Sequence, residues 1–270
     1  EISACLVGSE MCIRDSTSTL ARETYPTGGN TSAKYISKRV VLAEGQDAED
    51  LLVYLSAYKP SNTNVTVYAK FLNGEDAEGI ENKWWTPLNQ NTSSAIVSSR
   101  IDRNDFREFV YDLPFKYAVN AASNTAMADY AVYGTFTNTS ISSNTITISN
   151  TTPLDIGTLV YYIGTASNSI SNGFYSVFTS NTTAVRLATA GTSTPVTITS
   201  AASADTASLY VVPQTAFKDL SLSNVVSYYT STGAHVHSYK TFAVKIVMTT
   251  EEGSHIVPRV SDMRAIALQT

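Results

Sequence analysis

Two histidines separated by one residue, His235-Val236-His237, are the residues of this chain whose type and spacing best suit chemistry. Alternate side chains of a β-strand share a face, so both imidazoles would project the same way, and paired imidazoles suit a transition metal. No third ligand type is close by in sequence, and Ser231-Thr232-Gly233-Ala234 before the pair has the character of a loop. The expectation is an exposed pair with no metal assigned, His235 and His237 being the candidates if a metal binds. Glu75, Asp76 and Glu78, and the run Asp102-Arg103-Asn104-Asp105, offer hard oxygens for calcium. Neither follows the spacing of a calcium loop, so solvated turns are expected. The same carboxylates would need a cleft and a defined separation to act as a glycosidase pair. There is no Gly-x-Ser-x-Gly elbow and no phosphate-binding loop, and His235, His237 and His255 cluster near one end. The sequence therefore nominates no catalytic residue and no cofactor.

Trp84-Trp85 is the principal aromatic feature. Neighbours on a strand point to opposite faces, so one ring can enter the core while the other lies exposed. An exposed ring could pack on another subunit or stack on a sugar. Trp84 and Trp85 are thus the candidates for interface or glycan contact, against the plainer expectation that both rings are covered by the chain itself.

The elements that must position these residues are strands. Val53, Leu55 and Ala57 alternate with Tyr54, Ser56 and Tyr58, and the turn Lys59-Pro60-Ser61-Asn62 follows. Val65, Val67, Ala69 and Phe71 then face a core, with Thr66, Tyr68 and Lys70 opposite, which predicts an antiparallel hairpin. Phe106 to Leu113, Thr241 to Met248 and Val257 to Leu268 also read as strands, the Thr241 run before a polar turn Glu251-Glu252-Gly253-Ser254. Helical periodicity is confined to short pieces at Gln46 to Leu52 and Thr215 to Ser223.

Composition divides the chain. Of 270 residues 15% are charged, against roughly 25% in ordinary soluble domains. From Phe136 to Val212 only Asp155, Arg186 and Asp205 are charged, while 30 of those 77 residues are Ser or Thr. Short runs recur there: Thr145–Ile148, Leu159–Ile163, Phe174–Phe178, Ala184–Leu187 and Val196–Thr199, with Gly157, Asn172-Gly173 and Gly191 between them. The predicted organisation is all-β: an irregular arm at 17–34, an outer antiparallel, jelly-roll-like β-sandwich at 35–135 plus 213–270, and a small inserted β-barrel or sandwich module at 136–212. No apolar stretch is long enough to span a bilayer. With 18 Lys and Arg against 23 Asp and Glu, there is no basic surplus for nucleic acid.

Residues 1–16 resemble a translated adapter string found at the ends of unrelated metagenome-derived proteins, and are set aside as non-native. They contain both cysteines, Cys5 and Cys12, so the remainder has no thiol for a disulfide, a metal or a nucleophile.

The patterns Gly28-Gly29-Asn30, Lys34-Tyr35-Ile36-Ser37-Lys38-Arg39-Val40-Val41-Leu42, Asp47-Ala48-Glu49-Asp50-Leu51, Tyr58-Lys59-Pro60 and Val67-Tyr68-Ala69-Lys70 carry a resemblance, as do Lys240–Met248 and Pro258–Leu268. Together they resemble structural proteins of contractile-tailed phages that infect marine cyanobacteria. The stretch 136–212, with Gly157–Tyr162 and Asn172–Val177, resembles small β modules of phage tail and fibre proteins. The resemblance implies a non-enzymatic virion component of the baseplate or tail fibres, assembled in the bacterial host cytoplasm. It also implies other tail or baseplate proteins as partners, a homo-oligomer, and, as the alternative function, a carbohydrate-binding module for a host surface glycan. A polysaccharide depolymerase is the remaining alternative.

Overall fold

The computed structural model describes residues 20, 22–93, 95–119, 127–137, 140–148, 152–164, 170–198, 206–250 and 256–269. The segment 1–16, the turn 251–254 and His255 lie outside them. Within them the chain is all-β, with a short 3-10 turn at Ile80–Asn82. The expected short helices are not formed. Residues 46–49 lead into the strand Asp50–Tyr58, and residues 215–223 hold the strand Phe217–Asp219 and the turn after it. Each stretch is too short to repay helix nucleation when its apolar residues can pair in a ladder instead.

Internal contacts divide the chain into two units. One holds the described residues up to Phe115 with Thr215–Ser227 and those from His237 on; the other holds Lys116–Gln214 and Tyr228–Val236. The Ser/Thr-rich stretch 136–212 lies inside the second. That unit starts earlier than the change in composition because Ala131–Thr137 pairs along Thr206–Val211.

The first unit is a β-sandwich. One sheet has the order Lys34–Ile36, Thr241–Thr250, Thr63–Leu72, Thr86–Pro87, with Val40–Val41 also on Thr241–Thr250; the other runs Arg259–Leu268, Asp50–Tyr58, Arg107–Asp112, Asn89–Gln90. Period-2 alternation explains the core: Val53, Leu55, Ala57 and Phe109 are buried on one sheet, and Val65, Val67, Ala69, Phe71, Phe242, Val244 and Ile246 on the other. The Tyr111 hydroxyl crosses between the sheets to donate to the Val65 carbonyl at 3.0 Å.

The expected hairpin of residues 53–72 is not formed. Asp50–Tyr58 pairs with Arg259–Leu268 and Arg107–Asp112, whereas Thr63–Leu72 makes ten paired positions with Thr241–Thr250 in the opposite sheet. The turn after Tyr58 therefore arches from one sheet to the other. Both strands still turn apolar faces to one interior, so alternation alone could not distinguish the arch from a hairpin.

The outer face of Thr63–Leu72 is covered as well. Tyr68, Lys70 and Lys245 are buried there, with Trp85 and Val247. The covering comes from the arm at residues 22–31, which has no regular strand or helix but is anchored: Glu23 has no exposed surface, its Oε1 accepts the Thr31 N–H at 2.9 Å, and the Thr24 carbonyl accepts the Trp85 N–H at 2.8 Å.

The second unit contains one seven-stranded sheet in the order Ile141–Ser142, Thr145–Thr147, Ala184–Thr189, Gly173–Ser180, Leu159–Gly164, Thr206–Val211, Ala131–Thr137. Its core gathers Phe136, Ile146, Val160, Tyr162, Val177, Leu187 and Leu209. Four of the five predicted runs are strands. Of the fifth, Val196–Thr199, the described part Val196–Ile198 is not a strand: Pro195 makes an isolated bridge to Ala188, and the Val196 N–H donates to the Leu187 carbonyl at 2.9 Å. Proline at 195 has no N–H to extend a ladder.

Candidate functional site

His235 and His237 occupy the strand His235–His237, which ends a small four-stranded sheet whose next strands are Val225–Tyr229 and Phe217–Asp219. Alternation places the two imidazoles on one face. The last residue of Phe217–Asp219 supplies what the sequence lacked nearby: a carboxylate. Asp219 and His237 belong to the first unit and His235 to the second. Asp219 is fully buried, His235 half-buried and His237 exposed.

Each of the three is oriented by a neighbour. Asp219 Oδ1 accepts the Ser221 N–H at 2.8 Å and the Ser221 hydroxyl at 2.6 Å. His237 Nδ1 lies 3.0 Å from Ser227 Oγ. The His235 ring stacks on Tyr229, with centroids 4.8 Å apart and planes 23° from parallel. The tight turn after Asp219 uses left-handed backbone at Ser223 and Asn224, φ 57° and 68°.

The two tryptophans separate as alternation suggests, though they sit ahead of the short strand Thr86–Pro87. Trp85 is buried, and the ammonium groups of Lys70 and Lys245 approach its ring centroid at 4.8 and 4.9 Å. Trp84 is half-buried and packs against Tyr25, with centroids 4.9 Å apart. Burial, together with the charge of nearby Lys245, pushes Lys70 down to about 8.

The acidic turns are occupied by protein groups. The buried Lys83 ammonium lies 2.5 Å from Asp76 and 2.7 Å from Glu78, so a lysine supplies the cation at these carboxylates. Asp105 Oδ2 accepts the Ser99 N–H at 2.7 Å and Oδ1 pairs with Arg107, also at 2.7 Å, while Asp102 Oδ1 accepts the Asn104 N–H. These bonds hold the Asp105 carboxyl below the usual carboxylate range.

Two buried charge groups have no signature in the sequence. Lys218 sits between Asp50 and Asp112, at 2.9 and 2.6 Å; burial works against its charge, but the two carboxylates prevail and raise it. Lys245, wholly buried, pairs with Glu23 Oε2 at 2.9 Å. Each lysine alternates correctly into a strand, so only the three-dimensional partner distinguishes it from a surface lysine.

Among known proteins, no family profile, no curated sequence and no solved structure matches the chain. No helix among the described residues is long and apolar enough to cross a membrane.

Proposed function

We propose that this chain is a non-enzymatic structural protein of a phage tail, a baseplate or tail-fibre component that works by assembling with copies of itself and with other tail proteins. The observation that carries this reading is the strand Arg259–Leu268. It is ten residues long, it closes the order of its sheet, and among the described residues it is paired along one side only, with Asp50–Tyr58. Ile266 on it is 42% exposed. Such an edge presents N–H and C=O groups that another strand can complete. Arg259, Asp262, Arg264 and the bulge between Val260 and Asp262 restrict which strand can do so. Ile36, Val40 and Val41 give the other sheet an exposed apolar edge of its own. The resemblance of residues 28–113 and 238–268 to cyanophage tail proteins points the same way.

The glycan alternative draws less support from the geometry. Trp85, with a lysine over its ring and 5% of its surface exposed, offers no plane to a sugar, and Trp84 is already partnered by Tyr25.

The test is light scattering on the purified chain, alone and mixed with the products of the genes that flank its own. A discrete oligomer or a stoichiometric complex is expected. A monodisperse monomer in both conditions overturns the proposal.

A further inference from the structure

We propose that Asp112 and Lys218 condense to an intramolecular isopeptide bond, with Asp50 relaying the protons, so that the first unit carries a covalent cross-link made by its own side chains. The inference is independent of the tail-protein reading, since the reaction occurs once, within the chain. All three residues belong to the first unit. Antiparallel pairing brings the start of Asp50–Tyr58 and the end of Arg107–Asp112 to the same end of one sheet, and Lys218 lies on Phe217–Asp219.

The geometry supplies an amine, an acceptor carbon and a proton carrier. Lys218 Nζ is 2.6 Å from Asp112 Oδ1 and 2.9 Å from each oxygen of Asp50. A nitrogen so close to one carboxyl oxygen lies about 3.0–3.5 Å from its carbon, the separation of a near-attack pair. The Asp112 carboxyl is polarised from both sides: Oδ1 accepts the Leu113 N–H at 2.7 Å, and Oδ2 accepts the Asn91 side-chain amide at 3.4 Å. Lys218 and Asp112 are buried, and the Phe115 ring centroid lies 5.4 Å from the ammonium. Burial limits the water that could hydrolyse the product.

At rest the two carboxylates hold Lys218 as an ammonium. Asp50 takes one proton from Nζ and passes it to an oxygen of Asp112, and the Nζ lone pair attacks Cγ. A second proton follows the same route, the Cγ–O bond breaks, and that oxygen leaves as water. One C–N bond forms and one C–O bond breaks. Both protons of the water come from the ammonium, and no oxidant or further reagent is used. The product replaces a buried ion pair with a neutral amide, which removes the desolvation cost of two charges.

The chain leaves the first unit after Phe115 and returns at Thr215, where the Lys218 N–H donates to the Pro114 carbonyl at 2.8 Å. An amide between Asp112 and Lys218 closes a loop that contains the whole stretch 116–214, so the first unit stays tied where the second is inserted. Residues 17–270 have no cysteine with which a disulfide could do the same.

The experiment is mass spectrometry on the full chain after prolonged incubation, intact in denaturant and after trypsin. The intact mass should be one water below that of the sequence. Because cyclisation of a terminal Glu1 also loses water, the deciding observation is a branched tryptic peptide that joins Asp112 to Lys218 and is uncut at Lys218. Lys218→Met should show no branch. Asp50→Asn, with its fold checked by circular dichroism, should form the branch about a hundredfold more slowly or less. A folded parent without the branched peptide overturns the proposal. So does a branch that forms equally fast in Asp50→Asn, or one in which Asp50 is the acceptor.

Discussion

The Lys245 ammonium, with no exposed surface, donates to Glu23 Oε2 at 2.9 Å and to the backbone carbonyl of the same residue at 2.5 Å. The two residues are 222 positions apart. Their pairing fastens the segment at 22–31 to the outer face of the sheet and gives Trp85 a cationic neighbour. Removing one member leaves the other charged and buried, which typically costs about 3–5 kcal/mol. We expect Glu23→Gln to lower the unfolding free energy measured in urea by that order. The double variant Glu23→Gln/Lys245→Met should lose clearly less than the sum of the two single changes.

Acid should erase that difference. Burial pushes the Glu23 carboxyl up, but Lys245 and the Thr31 N–H together hold it below its ordinary value of 4.5. A folded-state value beneath the unfolded one means stability that is present above about 4.5 and lost as pH falls through the folded value. The gap between the parent and Glu23→Gln should therefore be widest near neutrality and shrink below pH 4.5. A gap that does not change down to pH 2 would show that Glu23 is not charged in the fold.

Gly29 closes the same clasp. It has φ +121°, where only glycine is at ease, and a Cβ there would collide with the Glu23 carboxylate. Gly29→Ala should destabilise by about 2 kcal/mol or more from strain and displaced charge. It should also shift the emission of Trp85 as the arm lifts from it. An unchanged spectrum and melting temperature would dismiss this role.

How far the sequence could reach follows from the range of each interaction. Alternation at Val53–Ala57, Val65–Phe71 and Phe242–Ile246 marks the core faces because a strand's side-chain period is local. The arch after Tyr58 was not legible, since the two strands it joins find their partners near residues 107–112 and 241–268. Nor was the cover over Lys70 and Lys245, which depends on one glutamate in an otherwise polar lead-in. His235 and His237 were visible as a pair through their spacing. The burial of Asp219 was not, although a turn at Ser223-Asn224 after a short strand is a signal of a tight reversal there.

In the second unit, Leu209 is wholly buried on the strand between Leu159–Gly164 and Ala131–Thr137, in the cluster with Val160, Tyr162 and Leu187. Leu209→Ala removes three carbons from a packed interior and should destabilise by about 2–5 kcal/mol. Ser208→Ala next to it exchanges a hydroxyl that bonds Thr135 on the exposed side, 3.1 Å away, and should change stability by less than about 1 kcal/mol. Equal effects from the two would contradict the assignment of faces.

The edge strand Arg259–Leu268 sets the last expectation. Ile266 pairs in register with Leu52 and is 42% exposed, so its side chain contributes little to the folded chain and much to any strand laid beside it. Lysine at such a position is a common guard against edge pairing, because a flexible charge is hard to desolvate between two strands. Ile266→Lys should leave stability within about 0.5 kcal/mol and weaken self-association at least tenfold by analytical ultracentrifugation. Val41→Lys, at the exposed edge of the other sheet, separates the two possible contacts. If only that variant dissociates the oligomer, the assembly uses the Val40–Val41 edge. If neither does, copies of the chain meet through some other surface, and the edges are guarded rather than used.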